Sequence, residues 1–92
     1  MLGIKVKLCE PLSQYAMNRR NFILGECPTI SDAFEELEKL CPGIARRILD
    51  DQDNIRRYVN VFLNGELIAK HPTEVHLRKD DELFIVQSVA GG

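Results

Sequence analysis

Only one substantial stretch of this chain carries apolar side chains at helical spacing. Ile30, Ala33, Phe34, Leu37, Leu40 and Cys41 fall on one face, with Glu35, Glu36, Glu38 and Lys39 on the other. Thr29-Ile30-Ser31-Asp32 opens the segment with capping-box spacing, Asp standing where Glu or Gln is preferred, and Pro42-Gly43 closes it. Around this single helix the apolar segments alternate or run in short β-branched and aromatic stretches. One helix can cover one face of one sheet, so the pattern predicts a mixed sheet with one protected face and one open face.

The strands are read in order. Ile4, Val6 and Leu8 alternate with Lys5, Lys7 and Cys9, which predicts a half-buried strand over 4–9 ended by Pro11. Leu12–Arg20 reads as a loop or helical turn with Tyr15 or Met17 turned inward. Asn21–Glu26 reads as a second strand returning antiparallel to the first. Gly43–Leu49 follows the main helix as a short helical turn packing Ile44 and Ile48. Tyr58–Leu63, Asn64-Gly65 and Glu66–Ile68 form a hairpin, because a type I′ turn needs positive φ at both central residues and Asn-Gly supplies it. Ala69–Leu77 is a connection broken by Pro72, and Arg78–Glu82 is a charged turn into a last strand beginning at Leu83. The first and last long strands are too far apart in sequence for a tight turn, so they pair in parallel across the helix. The expected fold class is α+β: a β-grasp, with a mixed four- to five-stranded sheet packed on one main helix. Residues 1–86 form the domain and residues 87–92 a flexible tail.

Alternation also assigns the open face. With Val61 and Leu63 toward the helix, Phe62 points away. With Leu83 and Ile85 toward the helix, Phe84 and Val86 point away too. Phe62, Phe84 and Val86 are therefore expected to form an apolar patch beside the root of the tail, and contiguous exposed apolar surface marks an interface.

Composition excludes several functions. At 92 residues there is room for one core. Lys and Arg number 12 against 14 Asp and Glu, a net charge of −2, so neither nucleic acid nor an anionic membrane is an expected partner. The pairs Arg19-Arg20, Arg46-Arg47 and Arg56-Arg57 read as solvated or salt-bridged surface. Cys9, Cys27 and Cys41 are odd in number and widely spaced; they read as free thiols in a reducing, cytoplasmic setting, with Cys41 in or near the core. Asp50–Asn54 is a solvated loop, since the sixth position from Asp51 is Arg56 where a calcium loop needs Gly. His71 and His76 are isolated and read as surface residues. No phosphate-binding glycine loop or metal-ligand cluster is present in the sequence, so no metal site and no independent enzyme is expected.

The chain resembles the MoaD/ThiS family of ubiquitin-like sulfur carriers, in particular the small subunit of molybdopterin synthase. The residues that carry the likeness are the ending Val89-Ala90-Gly91-Gly92 and the hairpin Val61-Phe62-Leu63-Asn64-Gly65. The Thr29–Leu40 helix before Cys41-Pro42-Gly43 and the segment Leu77–Val86 add to it. Two features depart from the family pattern: Asp80-Asp81-Glu82 contains no glycine, and Gln87-Ser88 stands where many members have prolines.

The resemblance implies that the Gly92 carboxylate is the reacting group. A MoeB/ThiF-type adenylating partner would transfer AMP to it from ATP, with Mg, and a sulfur donor such as a persulfide would displace AMP to leave a thiocarboxylate. Val89, Ala90 and Gly91 would thread the tail into partner sites, and Phe62, Phe84 and Val86 would dock the partner. The carrier itself would bind no cofactor. The sulfur would pass to a MoaE-type large subunit of molybdopterin synthase or to another sulfur-accepting enzyme, including those of thiamin, cysteine or transfer-RNA thiolation. A ubiquitin-like protein modifier, whose activated Gly92 acylates lysine, shares the same activation chemistry and is the alternative.

Overall fold

The computed structural model describes residues 3–88. Five strands and two α-helices follow one another as β1 Ile4–Leu8, β2 Asn21–Leu24, α1 Ile30–Leu40, α2 Ile44–Ile48, β3 Val59–Leu63, β4 Glu66–Leu67 and β5 Glu82–Gln87. Short 3₁₀ turns at Leu12–Ala16 and Pro72–Glu74 complete the order. The sheet runs β2-β1-β5-β3-β4. β1 and β5 are parallel neighbours at its centre, with Leu8 opposite Ile85, and every other pairing is antiparallel. This is the β-grasp arrangement that one helix and two distant central strands require.

The core lies between the sheet and α1. Ile4, Val6, Leu8, Val61, Leu83 and Ile85 meet Ile30, Ala33, Phe34 and Leu37, all buried. The helix starts at a complete capping box despite its Asp: the Asp32 N–H donates to Thr29 Oγ1 at 3.2 Å, and the Thr29 N–H donates to Asp32 Oδ2 at 3.0 Å. Glu38 then ties α1 to α2, accepting the Gly43 and Ala45 N–H groups at 2.8 and 2.9 Å. The Gly43 hydrogen bond, followed by that of Ala45, holds the Glu38 carboxyl below its ordinary pKa.

Several expectations need correcting. Leu40 is 51% exposed, because α1 has passed the edge of the core by its last residue. Neither Tyr15 nor Met17 turns inward. The tight 3₁₀ winding buries Leu12, Ser13 and Ala16 and rotates Tyr15 out, while Met17 ends the turn in a left-handed conformation and is 91% exposed. β5 continues through Gln87. Ser88 is still bonded to the sheet margin, its N–H donating to Tyr58 O at 2.7 Å. His71 is half-buried rather than simply superficial. Its ring nitrogens meet Thr73 Oγ1 at 2.8 Å and Gln52 O at 3.3 Å, joining two loops. The Asp50–Asn54 segment is closed by Asp50, whose carboxylate accepts the Gln52 and Asn54 N–H groups.

Candidate functional site

The outer sheet face is built by three independent registers. β3 and β5 place Phe62 opposite Phe84, with ring centroids 6.2 Å apart and planes tilted by 44°. This geometry suits an edge-biased aromatic pair. β1 places Lys7 on the other side of Phe84, and the two-residue turn at Asn64-Gly65 places Leu67 opposite Phe62. A row Lys7–Phe84–Phe62–Leu67 therefore crosses four strands, roughly 14 Å at ordinary strand spacing. Both rings are half-buried, and Leu67 is 58% exposed. A shallow groove of about 440 Å³ is lined by Lys7, Phe62, Gly65, Glu82 and Phe84.

Val86 lies on the same face one row along, opposite Asn60 and not Phe62. The three residues expected to form the patch thus share one face, with Phe62 and Phe84 in direct cross-strand register. Lys7, Leu67 and Glu82 were not anticipated as part of it. Leu67 was accessible to reasoning, because a two-residue hairpin turn fixes Leu63 opposite Glu66 and hence Phe62 opposite Leu67. Lys7 depended on the parallel register of β1 and β5, which no local signal encodes.

The hairpin tip also does more than turn the chain. Asn64 sits at φ 51° and Gly65 at φ 90°. The Asn64 Nδ2–H donates to Asp81 Oδ1 at 2.9 Å, and Asn64 Oδ1 accepts the Glu82 N–H at 2.9 Å. Asp81 Oδ2 in turn accepts the Arg78 N–H at 2.8 Å. This chain of bonds fastens the β3–β4 tip to the turn that feeds β5. It sets the register that brings Phe62 and Phe84 together.

Burial pushes the Cys27 and Cys41 thiols up, Cys27 further so by Glu36 and Asp32, which keeps both as thiols rather than nucleophilic thiolates. Among the described residues no group of three His, Cys, Asp or Glu is placed to hold a metal ion, and no helix is long and apolar enough to cross a membrane. Val89, Ala90, Gly91 and Gly92, the expected tail and reacting residues, lie outside the described residues.

A parallel β1–β5 centre, one main helix and an open aromatic face define a ubiquitin-like β-grasp protein. The ThiS family profile matches residues 6–92, and the chain belongs to that family of ubiquitin-like sulfur carriers and modifiers. A solved structure of small archaeal modifier protein 1 from Haloferax volcanii is 26% identical, with 98% of this chain and 99% of that one covered at a TM-score of 0.81. The BexX/CysO complex of Amycolatopsis orientalis contains a chain 23% identical, covered 97% and 99%, at a TM-score of 0.82. A complex of subunits 1 and 2 of the Helicobacter pylori molybdopterin-converting factor contains one 17% identical, covered 97% and 97%, at 0.63. Comparison with curated proteins returns no match.

Proposed function

We propose that this protein is a sulfur carrier whose Gly92 carboxylate is adenylated and converted to a thiocarboxylate. The observation that carries the reading is the placement of Phe84 on β5, the strand that leads directly into Val89-Ala90-Gly91-Gly92. A partner held on the outer face is then held next to the reacting end, which raises its local concentration there. The family match extending through residue 92 supports the same assignment.

In this reading a MoeB/ThiF-type partner holds MgATP. A Gly92 carboxylate oxygen attacks the α-phosphorus and pyrophosphate leaves. A persulfide sulfur then attacks the acyl carbon and AMP departs, giving an acyl disulfide. A thiol reductant cleaves its S–S bond and leaves the thiocarboxylate. Glycine at 91 and 92 keeps the acyl carbon open to attack and lets the backbone enter a narrow channel. Domain and tail act as separate parts, residues 1–86 for docking and residues 87–92 for chemistry. Phe62, Phe84 and Val86 are the docking residues, and the setting is cytoplasmic. The sulfur acceptor is a MoaE-type large subunit of molybdopterin synthase or a sulfur-accepting enzyme of another pathway.

Protein modification is the second reading. It is supported by the 26% identity to small archaeal modifier protein 1 over 98% of this chain. The test is pyrophosphate release with a ThiF-type enzyme and MgATP. The wild-type chain should support it and Gly92→Val should not; equal release from both would overturn the assignment of the reacting residue. Addition of a persulfide donor or of lysine-bearing proteins then separates carrier from modifier by which of them takes the acyl group.

A further inference from the structure

A second apolar surface lies on the helix side of the sheet, away from Phe62 and Phe84. After the 3₁₀ turn Leu12–Ala16 the chain passes through two successive left-handed residues, Met17 at φ 55° and Asn18 at φ 65°. Neither is glycine, and such a pair carries a conformational cost. The Asn18 N–H bonded to Ser13 O at 2.8 Å and the Arg19 N–H bonded to Ala16 O at 2.9 Å hold the bend. Its result is a bare methionine side chain, 91% exposed, at a groove it shares with Leu40 (51% exposed) and Tyr15 (45% exposed). The groove has a volume of about 370 Å³, and Pro42 and Arg19 complete its rim.

Two arginines flank the groove, while Glu38 acts electrostatically on Cys41 in its lining. The Arg47 guanidinium lies 4.0 Å over the Tyr15 ring, and that of Arg19 lies 4.3 Å over Phe22. Among the described residues neither arginine has a carboxylate within 4.0 Å, whereas Arg20 is paired with Glu10 at 3.2 Å. No acidic residue lines the groove, although the chain as a whole carries a net charge of −2. Arg19 and Arg47 are thus solvated surface, one of the two readings of their sequence context, and neither is salt-bridged among the described residues. Each guanidinium lies over an aromatic ring, with no described carboxylate within 4.0 Å.

We propose that this surface is a docking site for an acidic protein segment carrying a large apolar side chain. The apolar side chain seats against Met17 and Leu40, where an unbranched thioether adapts to its shape. Flanking carboxylates pair with Arg19 and Arg47, whose planar guanidinium groups suit bidentate contact. The apolar lining and the separate aromatic seats of the two arginines favour a protein segment over a lone phosphate. Because the surface is on the opposite side of the sheet from the aromatic face, it works independently of the sulfur-carrier reading.

The test is nuclear magnetic resonance titration of the ¹⁵N-labelled full chain with a short synthetic peptide of Glu and Asp around one Phe. The same peptide with Lys in place of the acids, and inorganic phosphate, are run in parallel. The acidic peptide should give saturable shifts at Tyr15, Met17, Arg19, Leu40 and Arg47, weakened by added salt. Arg47→Glu and Met17→Ser, each checked for an unchanged melting temperature, should each reduce affinity about fivefold or more. Arg19→Gln serves if either variant melts early. Absence of saturable shifts overturns the proposal. So do shifts centred on Phe62 and Phe84, equal binding of the Lys peptide, the same shifts with phosphate alone, or wild-type affinity in folded variants.

Discussion

Replacing Asn64 by alanine tests whether one side chain holds the outer face in register. The substitution removes two hydrogen bonds at the surface, to Asp81 Oδ1 and from the Glu82 N–H, both at 2.9 Å. The first is charge-assisted and contributes about 1 kcal/mol, and the second, exposed and neutral on the side-chain oxygen, about 0.5 kcal/mol. Alanine must also occupy φ 51°, which costs about 1 kcal/mol more than asparagine does there. The loss is about 2.5 kcal/mol, and for a domain of this size that lowers Tm by roughly 10–20 °C. Asn64→Gly separates the contributions, since it accepts the turn conformation but not the bonds, and should lie between wild type and Asn64→Ala. A double-mutant cycle with Asp81→Ala should give a coupling of about 1 kcal/mol by chemical denaturation. A Tm within about 2 °C of wild type for Asn64→Ala, or a coupling below about 0.3 kcal/mol, would refute the claim that this network holds the face.

Further predictions concern other parts of the molecule. The Glu38 carboxyl has a lowered pKa in the folded chain, so its contribution to stability is complete above the unfolded carboxylate pKa near 4.3 and is lost as pH falls below it. Glu38→Gln should therefore flatten the acid side of the stability–pH curve, read by urea melts, and an unchanged acid limb would contradict this. A Cβ added at Gly3 would clash with the backbone oxygen of Leu24, so Gly3→Ala must displace the β1–β2 margin. It should destabilise the fold by about 2 kcal/mol in the same melts, and a neutral result would show that the margin gives freely. Phe84→Asp should leave Tm within a few degrees of wild type (~1 kcal/mol or less on a half-exposed face) yet weaken binding to an activating partner about tenfold or more. Calorimetric titration measures the binding, and unchanged affinity would remove Phe84 from the docking surface.

The fold was legible because its local signals agree with its topology. One amphipathic stripe, an Asn-Gly turn and strict alternation in 4–8 leave few arrangements, and the parallel centre follows from what remains. Assigning Phe62, Phe84 and Val86 to one face needed only period-two alternation. What escaped depends on long-range geometry. Lys7 joins Phe84 through a parallel register, and Asn64 bonds across 17 residues to Asp81. Met17 was misread because a 3₁₀ turn with a left-handed exit follows neither helical nor strand periodicity. A buried assignment is the natural expectation for methionine wherever periodicity gives no direction. Arg19 and Arg47 are solvated, one of the two readings their sequence allowed; sequence shows nearby acids, but not which of them can pair.

The central claim rests on what happens at Gly92. The most direct measurement is the intact mass of the chain, purified without a C-terminal tag and incubated with a ThiF-type activating enzyme, MgATP, a persulfide donor and a thiol reductant. The account predicts a gain equal to the exchange of one oxygen for one sulfur, absent without ATP and absent in Gly92→Val. An unchanged mass, in a reaction shown to convert another member of the family, would contradict it. ATP-dependent lysine conjugates in place of that gain would assign the chain to protein modification instead.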